Sequence, residues 1–320
     1  MQNTLNINQL PTYGELVAFK CLERAPSYKR ARYGLSPEEC RYNESAVNDY
    51  YESLHTGQMG YLKSLQPHEA FSAELAARVA RRVNLPCPQT EIDACRDEDK
   101  IIYACFSPLH GKGSRTLGRF MLEETYNAVS PSFAHDIAPI SQGISSHIPF
   151  WILTANWDVH PANVIVAAPE NGQGSFVYSI DHEALDYQIG KIHPISLGHI
   201  FVPGRPFFID ANAMSEAAET IAAITSNDIR EAVEQSFDTC KIPLGGLIKN
   251  DARDSIPSLH EIHNVLLKRQ ETIQRDIRAP SYMAKVFQLS LNDYEQLNRR
   301  NHPHKPASLP TAKAAFHARR

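Results

Sequence analysis

The sequence predicts an α+β chain in two lobes, a small antiparallel sheet with one helix followed by a larger, mainly helical part. Three observations predict this. The first third alternates short apolar runs with polar turns and holds a single amphipathic segment. Composition changes near residues 107–110, where a histidine- and glycine-bearing stretch begins. After Pro206 apolar residues recur at helical rather than strand spacing. The expected division is 1–107 as the first lobe, 108–300 as the second and 301–320 as a disordered tail with three prolines and basic ends.

In order, residues 15–21 form a short apolar run that reads as a strand. Residues 22–46 read as loop, with a short helix at 36–40. Residues 47–54 and 59–65 flank His55-Thr56-Gly57-Gln58, a hairpin signal. Residues 69–83 read as a helix whose apolar face is Phe71, Leu75, Ala76, Val79, Ala80 and Val83; Asn84 and two prolines end it. Residues 90–95 and 100–106 make a second hairpin across an acidic turn. Residues 110–118 read as a glycine-bearing loop, 119–129 as a helix, and 147–155 as a buried helix. Strands at 164–167 and 176–180 flank a Gly-rich turn, and helices follow at 215–225, 227–237 and 258–277.

Composition bounds the function. The chain has 320 residues, 42% hydrophobic and 21% charged, ordinary globular material. A formal charge of −4 gives no broad pull toward nucleic acid or anionic membrane. None of the six cysteines forms a CxxC pair, so they read as reduced, mostly buried thiols of a cytoplasmic protein. The N-terminal stretch lacks a basic start and apolar run, so no signal peptide is expected. No apolar stretch approaches the ~18 residues that span a bilayer.

The strongest local signal is Asn156-Trp157-Asp158-Val159-His160-Pro161-Ala162-Asn163, then two short strands, then Ile180-Asp181-His182-Glu183. A hairpin brings its two ends together, so Asn163 before the first strand and Asp181 after the second share one end, with Asp158 on the loop facing them. Phosphoryl transfer needs a carboxylate to orient the attacking hydroxyl and hard oxygen ligands for Mg²⁺. Those residue types in that order suit it. The plainer reading of Asp158 is a turn residue before Pro161, and of His160 a structural side chain. Lys63 could be a solvated strand lysine and Glu74 half of a surface ion pair. The loop His110-Gly111-Lys112-Gly113-Ser114 is not a Walker motif, because its lysine precedes the second glycine. The histidines at 147, 160, 182, 193 and 199 have no zinc-type spacing.

Asp-x-His-x-x-Asn, two strands and Ile-Asp-His resemble the HipA-like kinases and, more distantly, phosphatidylinositol kinases. Tyr61-Leu62-Lys63, Ala73-Glu74-Leu75-Ala76, Val83-Asn84-Leu85-Pro86-Cys87-Pro88 and Gly113-Ser114-Arg115 extend the resemblance over residues 47–190 in the family's order. It implies a protein-kinase-like fold and an ATP- and Mg²⁺-dependent phosphotransferase acting on a protein Ser/Thr hydroxyl. It implies that Lys63 holds the α- and β-phosphates and that Glu74 fixes its ammonium. Asp158 would orient the acceptor, His160 order the loop, and Asn163 and Asp181 bind Mg²⁺. Backbone groups near Phe106 and Leu109 would hold adenine. Val159 stands where the family has Arg, Glu183 where Gly is usual, and no glycine-rich phosphate loop precedes Lys63. Two other classes stay open: a nucleotide-binding pseudokinase that regulates or docks, and a metal-dependent hydrolase using Asp158, His160, Asp181 and His182. The acceptor, protein or small molecule, and an antitoxin-like regulatory partner are left open by the residues.

Overall fold

The computed structural model describes residues 7–11, 19–23, 49–53, 57, 59–87, 90–97, 100–108, 114–126, 133–156, 158–167, 175–182, 185, 195–201, 207–240 and 258–301. The helix expected at 36–40, Leu109, Lys112, Trp157, Glu183 and the tail from 302 lie outside them. The fold mixes helices with two small antiparallel sheets. The first sheet contains β1 (Phe19–Glu23), β2 (Asp49–Ser53), β3 (Met59–Leu65), β4 (Glu91–Asp97) and β5 (Lys100–Pro108), in the order β1-β2-β3-β5-β4. Both expected hairpins are present, with Tyr51 opposite Gly60 and Cys95 opposite Ile102. The strand expected at 15–21 is present at Phe19–Glu23, and residues 15–18 lie outside the described residues.

Helix α1 (Pro67–Arg82) begins where Pro67 presets the first turn and Glu69 Oε2 accepts the Gln66 N–H at 2.7 Å. It ends at Asn84, which takes a left-handed φ of 54° while Leu85 N–H bonds back to Ala80. All six residues of its expected apolar face are buried, and so are Ala73, Glu74 and Ala77. The extra burial has a simple cause: α1 packs on β3 and β5 with one flank and on α5 (Ser226–Cys240) with another. Arg78 crosses to α5, donating to Gln235 Oε1 at 2.9 Å and Thr239 Oγ1 at 2.7 Å. One hydrophobic core therefore runs from Leu65 through α1 to Tyr294 near the far end of the described chain.

The second sheet is β6 (Arg115–Thr116), β7 (Val164–Ala167) and β8 (Phe176–Ser179), in that order. The expected hairpin thus gains a third strand from a segment read as loop. α2 (Leu117–Tyr126) follows β6 directly, and Gly118 sits against Pro161, its N–H donating to the Pro161 carbonyl at 3.0 Å. The buried helix expected at 147–155 is the last third of α3 (Phe133–Thr154), 22 residues long with Pro139 and Pro149 inside it. Gly143 lets α3 approach β8, since a Cβ there would meet Val177 Cβ at 2.9 Å. α4 (Ala211–Ala222) is capped by Asp210 and α6 (Leu259–Asp276) by a Ser258–Glu261 capping box. α7 (Pro280–Val286) and α8 (Leu291–Asn301), absent from the sequence reading, complete the helical part. Among the described residues no helix is long and apolar enough to cross a membrane.

Candidate nucleotide and metal site

α3 ends on a Schellman turn. Ala155 N–H bonds Ile152 O and Asn156 N–H bonds Trp151 O, both at 3.2 Å, with Ala155 at φ 46°. Glycine is usual at that position, and here Ala155 fills it, one residue past Thr154 and at the end expected for the 147–155 helix. The turn aims Asn156 inward, where it is 2% exposed. Its Oδ1 accepts the Asp158 N–H at 3.0 Å, closing an Asx turn that starts the loop. His160 Nδ1 accepts the Ala162 N–H at 3.2 Å, so the imidazole proton sits on Nε2. That nitrogen lies 3.6 Å from Asp158 Oδ1, near but beyond hydrogen-bond length.

The Asp158 carboxylate is about half exposed, open to an incoming group. Asn163 is buried, and its Nδ2 donates to Asp158 O at 3.0 Å and Asp158 Oδ2 at 3.2 Å. Both donor contacts are therefore spent on Asp158, which leaves Asn163 Oδ1 as the atom available to a cation. Asp181 follows β8 at a left-handed φ of 61°, unusual for a non-glycine residue. Ile180 N–H bonds Asn163 O at 3.0 Å, so the two metal-candidate residues lie at the same end of the hairpin. An amide oxygen and a carboxylate are hard donors of the kind Mg²⁺ takes.

Lys63 reaches this end from β3. Its Nζ is 2.5 Å from Asp181 Oδ1, both side chains about 15% exposed. Glu74 has different company: its Oε1 is 2.8 Å from Arg78 Nε and 3.9 Å from Arg81. Burial raises the Glu74 carboxyl above its ordinary value, with the two arginines pulling the other way. On the flank of α1 toward Lys63 stand Ala73 and Ala77, which line a cleft with Cys105, Ser107 and Asp181. The space between these side chains is narrow and opens to solvent, about 330 Å³ when that outside space is counted. Phe106 is fully buried inside β5, opposite Leu62 on one side and Glu91 on the other. An inner-strand residue spends its main-chain groups within one ladder or the other. The same strand requires Gly60, where a Cβ would meet the Ser107 carbonyl oxygen at 2.3 Å and Phe106 Cζ at 2.8 Å.

His182 is buried and uses both ring nitrogens on the protein. Asn156 Nδ2 meets Nδ1 at 3.3 Å, and Nε2 meets the Ser179 carbonyl at 3.2 Å. As Nδ1 accepts from an amide, Nε2 carries the proton. A ring engaged in this way does not face a metal. Trp151 Nε1–H donates to Ser179 Oγ at 3.0 Å and fixes β8 onto α3. Among the described residues no three His, Cys, Asp or Glu side chains converge on a metal position. Sequence reasoning gave no role to Asn156 and missed the Lys63–Asp181 pair. The first was legible only as an Asn two residues before an Asp, and the second carries no local sequence signal.

No family model matches this sequence, and no curated protein matches it. Solved structures do resemble the chain. A Helicobacter pylori proinflammatory kinase, CtkA, shares 13% identity over 77% of this chain and 92% of its own, with a TM-score of 0.41. The Shewanella oneidensis MR-1 toxin–antitoxin system HipA, HipB and operator DNA complex gives 9% identity, 77% and 61% coverage, and a TM-score of 0.35. WaaP in complex with acyl carrier protein gives 11%, 79% and 99%, with 0.33.

Proposed function

We propose that this chain is an ATP- and Mg²⁺-dependent phosphotransferase of HipA-like type with two lobes around the Lys63–Asp181 cleft, acting on a protein Ser/Thr hydroxyl. The observation that carries the reading is the 2.5 Å pair between the β3 lysine and the carboxylate after β8, at the hairpin end where Asn163 is bound to Asp158. Lys63 and Asp181 line the cleft, and Asn163, bonded to Asp158 through its side chain and to Ile180 through its main chain, lies next to Asp181 at the hairpin end, which supports the reading. Bound Mg²⁺ would supply charge neutralisation across the β- and γ-phosphates, with Asn163 Oδ1 and the Asp181 carboxylate as its protein ligands. Lys63 would move from Asp181 to the α- and β-phosphates. Asp158 would hold the acceptor hydroxyl in line and take up its proton, while His160 keeps the loop ordered. Adenine would be held by main chain beyond Pro108, where Leu109 lies, because Phe106 is committed to the sheet.

The test is phosphoryl transfer from labelled ATP, to the chain itself and to a generic protein acceptor, in wild type and Asp158→Asn. The reading predicts incorporation that falls by ~10²–10⁴-fold in the variant. Equal incorporation by both proteins would remove Asp158 from the chemistry. One observation favours a second reading, a nucleotide-binding pseudokinase: Glu74 is held by Arg78 and Arg81 on its own helix. Nucleotide binding without turnover across Mg²⁺ and Mn²⁺ would support that alternative.

A further inference from the structure

We propose that Asn156 is a positioning residue that ties the two metal-candidate residues to each other and to Asp158. The inference rests on the phosphotransfer reading above. Its basis is a chain of hydrogen bonds. Asn163 Nδ2 donates to Asp158, Asp158 N–H donates to Asn156 Oδ1 at 3.0 Å, and Asn156 Nδ2 donates to the Asp181 carbonyl at 3.4 Å. The same Nδ2 group contacts His182 Nδ1 at 3.3 Å. Thus one buried amide holds the loop after α3 with its oxygen and the turn after β8 with its nitrogen.

Two features make this tie more than packing. The non-glycine residues at left-handed φ nearest the site, Ala155 and Asp181, stand at its two ends. Such conformations persist only where surrounding bonds over-determine them. The direction of the Asn156 amide is also set from outside. His182 Nε2 faces a carbonyl and must donate, so Nδ1 must accept, and the amide must present its NH₂ there and its oxygen to Asp158. Asn156 is not among the side chains that line the cleft. Its effect falls on where the Asp181 carboxylate stands relative to Asn163 Oδ1, and hence on metal-assisted binding rather than on nucleotide binding as such.

The experiment compares the affinity of an ATP analogue with a non-transferable γ-phosphoryl, with and without Mg²⁺, in wild type and Asn156→Asp. Aspartate keeps the acceptor for Asp158 N–H and loses both donors. The expected result is metal-free affinity within about twofold of wild type and a loss of ~10-fold or more in the tightening that Mg²⁺ provides. A ratio of affinities is unmoved by a merely less stable fold. Unchanged Mg²⁺ tightening in Asn156→Asp overturns the inference, whereas wild type that binds no nucleotide overturns the phosphotransfer reading instead. A second measurement needs no Asn156 variant. Imidazole ¹⁵N spectra of wild type, with His182 assigned by loss of its signals in His182→Gln, should show the proton on Nε2. A proton on Nδ1 would mean the amide points the other way and would overturn the tie.

Discussion

The hairpin end at 156–182 and the α1 flank at 74–82 both hold buried charged or polar side chains, yet they are built on opposite plans. At the hairpin end the side chains are short. Asn156, Asp158, Asn163 and His182 bond to main chain or to one another within two or three rotatable bonds of the backbone. On α1 the group is long: Glu74 and Arg78 pair along the helix, and Arg78 then reaches Gln235 and Thr239 on α5. Short side chains inherit their position from the local chain, so spacing in sequence announces them. Long ones choose among partners that only the tertiary structure supplies.

The most forceful way to break this comparison is Glu74→Ala. If Glu74 serves the α1–α5 contact, the variant loses ~1–3 kcal/mol of stability in urea unfolding, because Arg78 is left partly buried without its acid. Its Mg-ATP affinity then stays within threefold of wild type. A collapse of affinity with little change in stability would restore Glu74 to Lys63 and erase the contrast. A second test concerns His147, which joins α3, the helix that leads into the hairpin end, to the segment just after α1. Its Nδ1 lies 2.8 Å from Gly143 O on α3, and its Nε2 3.4 Å from Pro86 O just after α1. Burial lowers its imidazole below the ordinary value of 6.5, against the pull of those two carbonyls. The unfolded chain therefore binds a proton there below about pH 6.5 that the folded chain refuses. Stability should fall as pH drops from 7 to 5.5, with a slope from this group limited to ~1.4 kcal/mol per pH unit. His147→Gln should flatten that slope; an unchanged slope would mean the group is not held neutral. The smallest effect sharpens the picture of the hairpin end. Ala155→Gly relieves a left-handed alanine and should raise stability by ~0.5–1 kcal/mol in thermal unfolding. A loss of stability would show that Ala155 is not strained.

Legibility followed physical range. The β2–β3 and β4–β5 hairpins, α1, and β7 with β8 were legible because alternation, turn residues and 3.6-residue spacing are local. The start of α3 was not. Residues 133–146 hold Pro139 and Gly143, which ordinarily interrupt helices, but Ser141 and Ser145 hydroxyls accept main-chain N–H groups from Phe208 and Asp210, and Gly143 is required for contact with β8. β6 is two residues long and exists only because Arg115 and Thr116 pair with strand residues some fifty positions away. Within the site, the order Asp158, Asn163, Asp181 was legible from the hairpin. The partner of Lys63 was not, since a strand lysine can reach several carboxylates and the one it meets depends on how the sheet lies on the second hairpin.

The central claim is that Lys63 and Asp181 belong to one nucleotide–metal site. A thermal-unfolding titration with Mg-ATP on wild type, Lys63→Ala and Asp181→Ala tests it most directly. At a hundredfold excess over Kd the wild type should gain ~2.7 kcal/mol, and both variants should lose most of that gain. Full stabilisation of Asp181→Ala by Mg-ATP would contradict the account.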